Sequence, residues 1–100
     1  MERYNASLAI QVLPKVERED VIPIVDKVIA YLKSTGLNVF VGPFETTIEG
    51  DFDRIWDIAG ECQKICVREG APSVSSYIKV VYSPAAELWS IDEKVSKHHP

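Results

Sequence analysis

Polar and apolar positions alternate at the start of this chain, recur at helical spacing, and then repeat that sequence of patterns. Between residues 6 and 13, Leu8, Ile10 and Val12 alternate with Ser7, Ala9 and Gln11. That is the period of a strand with one strongly apolar face and one small or polar face. Pro14 closes it, because proline brings no N–H to a ladder. From Asp20 to Thr35, Val21, Ile24, Val25, Val28 and Leu32 recur at i, i+3, i+4 spacing and predict a helix. Asp20 suits its N-cap, Pro23 is expected in its first turn, and Gly36 suits the C′ position. Two short strands, Asn38–Val41 and Glu45–Glu49, flank Gly42-Pro43 and read as a hairpin. Asp51 to Glu69 predicts a second helix, with Phe52, Ile55, Trp56, Ala59, Cys62, Ile65 and Cys66 on one broad core face. Asp51 is its natural N-cap, and Gly70 with Pro72 marks its end. Ser73 to Ser83 reads as a fourth strand, with the polar Ser76 interrupting its apolar series. A short last helix is expected over Ile91–Lys97, capped by Ser90.

The order β-α-β-β-α-β over a single 1–100 domain predicts an α+β, ferredoxin-like sandwich: four antiparallel strands with both helices on one face. Strict alternation then leaves Ala9, Gln11, Phe40, Thr47, Glu49, Tyr77 and Lys79 on the other face. That set is too apolar to be merely solvated and too polar to be a core. A bulge at Thr46-Thr47 would exchange their faces, so both threonines remain candidates.

Composition narrows function by exclusion. The net charge is −4 and the eleven basic residues are scattered, which argues against a nucleic-acid footprint. No apolar run approaches the length of a membrane span, and the first residues lack a signal-peptide core, so a cytoplasmic location is expected. Cys62 and Cys66 share one helix face and fit two small buried residues better than a redox or zinc pair. Both histidines, His98 and His99, lie at the end of the chain, away from any nucleophile of the fold, and a metal site is not expected. The glycines are isolated and form no phosphate loop. The loop after the first strand, Pro14-Lys15-Val16-Glu17-Arg18, lacks the arginine- and glycine-rich phosphate cradle of the acylphosphatases and the Cys-x-x-Cys of metal chaperones.

The stretch Gly42-Pro43-Phe44-Glu45-Thr46-Thr47-Ile48-Glu49-Gly50-Asp51 combines a turn, a strand with two hydroxyls and a carboxylate, and a helix entry. It is the best place in the chain to expect a binding site. At Pro43-x-x-Thr46-x-Ile48-Glu49-Gly50-Asp51 the sequence resembles the small thiamine-binding protein family, the YkoF-like group. The likeness extends to Val12-Leu13-Pro14, to Ser34-Thr35-Gly36-Leu37-Asn38-Val39 and to Ile91–Lys97, and so spans essentially the whole chain. One departure lies in the fourth strand. Many members carry a basic residue near position 76 and an Asp-x-Arg at the strand end, where this chain reads Ser75-Ser76-Tyr77-Ile78-Lys79-Val80-Val81-Tyr82-Ser83-Pro84.

The resemblance implies a ferredoxin-like fold, self-association into dimers or tetramers through sheet faces or edges, and binding of thiamine or its hydroxymethylpyrimidine half. It implies neither catalysis nor a further cofactor. An aminopyrimidine offers donors and acceptors on a flat ring, which a strand carboxylate and hydroxyl can meet at its edge and an aromatic ring can cover. The ligand candidates are therefore Thr46, Thr47, Glu49, Gln11, Phe44 and Tyr77. Each also has a plainer role. The threonines suit any strand, Glu49 could complement the positive end of the second helix, and Gln11 and Tyr77 could build an interface. Two rival functions stand beside ligand binding: an oligomeric interaction module with no small-molecule ligand, and an enzyme using Glu49.

Overall fold

The computed structural model describes residues 5–84. Its elements follow in the expected order: β1 (Ala6–Pro14), α1 (Arg18–Ser34), β2 (Asn38–Val41), β3 (Thr46–Gly50), α2 (Phe52–Arg68) and β4 (Val74–Tyr82). The strands form one antiparallel sheet in the order β2-β3-β1-β4. Helices α1 and α2 pack on each other and on the sheet, giving the ferredoxin-like α+β sandwich. The expected helix over Ile91–Lys97, Trp89, and the paired histidines lie outside the described residues.

Both helices are shaped by their ends. Asp51 caps α2 by accepting a hydrogen bond from the Arg54 amide, and Asn5 Oδ1 accepts the Phe52 amide at 2.8 Å. At the other end, the Ala71 amide reaches the Cys66 carbonyl and the Gly70 amide reaches the Val67 carbonyl, both at 3.1 Å. This reciprocal pair stops the helix and requires the positive φ of Gly70 (110°). Helix α1 departs from expectation at its start. It begins at Arg18, and the residue before it, Glu17, makes no side-chain cap. Asp20 therefore lies within the first turn, where its charge favours the positive helix end. Pro23 lies in the second turn and removes one helical hydrogen bond. Thr35 is the C-cap of α1 rather than its last helical residue, and Gly36 follows with φ 80°.

The core lies between sheet and helices. Leu8, Ile10, Val12 and Ile48 meet Ile24, Val28 and Leu32 of α1 and Ile55, Ile58, Ala59, Cys62 and Cys66 of α2. Both cysteines are buried and free. Trp56, expected in this core, is 44% exposed. It sits about 100° around the helix from Ile55, beyond the edge of the buried stripe, with its ring 6.3 Å from that of Phe52. Phe52 in turn stacks on Tyr82 of β4, 4.3 Å between centroids. Ile58, on the opposite flank, is the core residue that the broad-face reading missed.

Candidate functional site

Register decides what each candidate residue can reach. The β1–β3 ladder runs without interruption from Ala6↔Gly50 to Ile10↔Thr46, so there is no bulge at the two threonines. Thr46 lies between Ile10 and Val41 on the helix side, 7% exposed. Thr47 lies between Ala9 and Phe40 on the open side. The candidates therefore divide between two layers. Thr47, Glu49, Gln11 and Tyr77 belong to the open face, where Gln11 pairs with Tyr77. Thr46 faces the helices, and Phe44 projects from the β2–β3 loop, 79% exposed. Within one chain Gln11, Phe44 and Thr46 nevertheless border a single cleft, which Thr47, Glu49 and Tyr77 do not reach.

Helix α1 and the β2–β3 loop enclose a cleft of about 280 Å³. Ile22, Val25 and Ile29 of α1 line one wall, and Val41, Phe44 and Thr46 line the opposite one. The loop holds its shape because the Gly42 amide donates to the Glu45 carbonyl at 2.9 Å. The volume falls just below the roughly 300–1,000 Å³ of pockets that enclose a drug-sized ligand. It therefore suits one ring system or one half of a two-ring molecule. An apolar floor, a hydroxyl on the wall and an exposed aromatic ring at the rim can hold a flat heterocycle by stacking and one directed hydrogen bond.

The wall on α1 escaped the sequence reading. The stripe of Ile24, Val28 and Leu32 is the part that enters the core. Ile22 and Ile29, one heptad apart, lie on the flank of that stripe. Their signal was visible as an apolar surplus, since α1 carries more aliphatic residues than one core-facing stripe needs.

Glu49 belongs to a different setting. Its Oε1 accepts a hydrogen bond from Asn38 Nδ2 at 2.7 Å, and the residue is only 2% exposed. The carboxylate ties edge strand β2 to β3, the kind of partner that a buried charge requires. The N-terminal amides of α2 are capped by Asp51 and Asn5. On the same face, Lys79 of β4 reaches across β1 to Glu45, Nζ to Oε1 3.4 Å. Small Ala9, which pairs with Lys79, leaves room for that crossing.

The βαββαβ sandwich thus carries a ring-sized, mostly apolar cleft at one end of its sheet. Comparison with known proteins gives the family: this chain belongs to the thiamine-binding protein family, whose profile matches residues 8–99. A UPF0045 protein of Clostridium perfringens is 44% identical over 98 residues, covering 98% of this chain and 99% of its own. The structure of a DUF77 domain from Bacillus cereus superposes with a TM-score of 0.86 at 36% identity, over 98% of this chain and 92% of that one. A Thermotoga maritima crystal structure, provisionally described as a thiamine biosynthesis or salvage protein, superposes with a TM-score of 0.81 at 30% identity, over 93% of this chain and 97% of that one.

Proposed function

We propose that this protein binds thiamine or its hydroxymethylpyrimidine half without transforming it, and that the α1/β2–β3 cleft receives the ring. The observation that carries the proposal is the pairing of the Thr46 hydroxyl with a mostly apolar, ring-sized space beside the exposed Phe44. Family membership supports the ligand class. Thr46 hydrogen-bonds a ring nitrogen or the exocyclic amine, and Phe44 covers the ring. The role is buffering, delivery or sensing in the cytoplasm. Among the described residues no helix is long and apolar enough to cross a membrane.

The open face favours self-association as a second property of the same protein. Tyr77 is 65% exposed, and Leu13, Phe40 and Val81 are also exposed on that layer. Copies meeting there as dimers or tetramers would bury this surface, with Gln11, Thr47 and Tyr77 in the contact. A ligand seated between copies would meet those same three residues. Glu49, buried on the same face, supports it by holding β2 through Asn38.

Isothermal titration with thiamine, and separately with hydroxymethylpyrimidine, tests the ligand. The expected result is micromolar or tighter binding, about −8 kcal/mol. Thr46→Val should weaken it by about 1 kcal/mol, the worth of one hydrogen bond, with the assembly unchanged. No binding of either compound, confirmed by equilibrium dialysis, refutes the assignment and leaves the interaction-module reading.

A further inference from the structure

The open face of the sheet is not uniformly open. One row crosses it by register, Asn38–Glu49–Ser7–Val81, at the end where β1 begins. Both described helices pack on the opposite side, so the side chains of this row should stand in water. Val81 does, and so do Phe40, Tyr77 and Lys79 elsewhere on the face. The two central members of the row do not: Ser7 is 7% exposed and Glu49 2%. Neighbours on a flat sheet cannot hide a side chain as long as glutamate. A carboxylate buried so deeply has both a partner and a cover. Asn38 is a partner; the cover is a separate requirement, confined to this one end.

We propose that the chain's own segment 85–100 docks over the Ser7–Glu49 end of the open face and supplies that cover. The segment carries Leu88, Trp89, Ile91 and Val95. Ile91 and Val95 fall one turn apart on the helix expected over Ile91–Lys97, and the residues between and after them are polar. A helix that short does not hold in water by itself and needs a surface to pack on. The exit of the chain brings it to this one. The Ser83 amide donates to the Asn5 carbonyl at 2.7 Å, which keeps the end of β4 beside the start of β1, and Pro84 then stops the ladder. From β4 across β1 to β3 is two strand spacings, about 10 Å. The connection Ala85–Glu87, at about 3.3 Å per extended residue, is long enough to cross it. Ser7 and Ala9 on the central strand are small, so they leave a shallow trough beside the exposed Val81, into which Ile91 and Val95 fit. Lys94 and Lys97 bring positive charge to the face that holds Glu49. The segment is then a clasp: it closes water off from the Glu49–Asn38 contact that ties β2 to the sheet, and it leaves the Gln11–Tyr77 end free for contact between copies.

The test is thiol labelling of the full chain carrying Ser7→Cys. The native Cys62 and Cys66 are free but buried, so a thiol-specific reagent reads position 7. With the segment intact the new thiol should label slowly. Adding Ile91→Asp and Val95→Asp together should abolish that protection, the milder Ile91→Ser should weaken it, and Ile91→Leu should keep it. Circular dichroism checks folding of each variant, and Ile91→Ser carries the test if the paired aspartates unfold the sheet. Rapid labelling with the segment intact overturns the proposal. Protection that survives the substitutions in the segment assigns the cover to the residues before Asn5 and overturns it as well. Protection that vanishes on dilution overturns it in favour of a cover given by a second copy.

Discussion

Cys62 offers the most direct test of the packing described above. Its thiol is fully buried beneath the sheet, and burial pushes its pKa up from the ordinary 9.0 to about 12, with Cys66 and Glu61 adding to the effect. The folded state therefore resists forming the thiolate, while the unfolded chain forms it near pH 9. Above that pH the unfolded state binds fewer protons than the folded one, so stability falls as pH rises. The contribution is fully present below about pH 9 and is lost through the window up to about 12, at about 1.4 kcal/mol per pH unit. By about pH 10.5 the loss from this one thiol is about 2 kcal/mol, a large part of what holds a domain of this size together. Urea unfolding of wild type and Cys62→Ala, compared from about pH 8 to about pH 10.5, isolates the effect, because other titrations are common to both proteins. The variant starts lower, by about 1 kcal/mol for the lost packing, and its stability should decline less steeply. Parallel curves would refute the reasoning and mean that water reaches the sulfur.

Three further changes follow from single contacts. The Ser76 hydroxyl is buried on β4 with no hydrogen-bond partner, so Ser76→Ala should stabilise by about 1 kcal/mol, seen as a Tm higher by roughly 4–8 °C in calorimetry. At Gly42 an added Cβ would stand 2.9 Å from the Glu45 carbonyl oxygen. Gly42→Ala should therefore cost about 1–3 kcal/mol and, by displacing the loop, weaken ligand binding in the same titration. Ile48→Ala should cost about 2–5 kcal/mol in chemical denaturation, whereas Trp56→Ala, at the rim of the stripe, should cost clearly less.

Much of this fold could be read from the sequence because local signals and tertiary demands agree. Asp51, Gly36 and Gly70 mark helix ends through their own chemistry, and the alternation in β1 selects the face that enters the core. The start of α1 was misread because Glu17 supplies no side-chain cap, so Asp20 was the nearest residue that resembled one. Trp56 was misread because hydrophobicity says nothing about where the edge of a stripe falls. The division of Thr46 from Thr47 could be stated only as alternatives, since register depends on partners far along the chain. The cleft was the least legible feature. It exists only where the flank of α1 meets a loop some twenty residues further on, and no local pattern records that meeting.

The central position of β1 has a consequence for how the chain is made. Its two neighbours are β3, ending at Gly50, and β4, whose Tyr82 pairs with Ala6. Strand β1 therefore cannot be enclosed on both sides until β4 has emerged from the ribosome. At synthesis rates of about 5–20 residues per second, one edge of β1 stays bare for roughly 2–6 seconds after β3 is complete. Long-range pairing of this kind also slows folding relative to helical proteins of equal size. Chains halted before β4 expose a nine-residue strand edge rich in aliphatic side chains, a template for pairing with other chains. Slowing synthesis between β3 and β4 is therefore expected to lower the yield of folded chain even where the finished sandwich is equally stable.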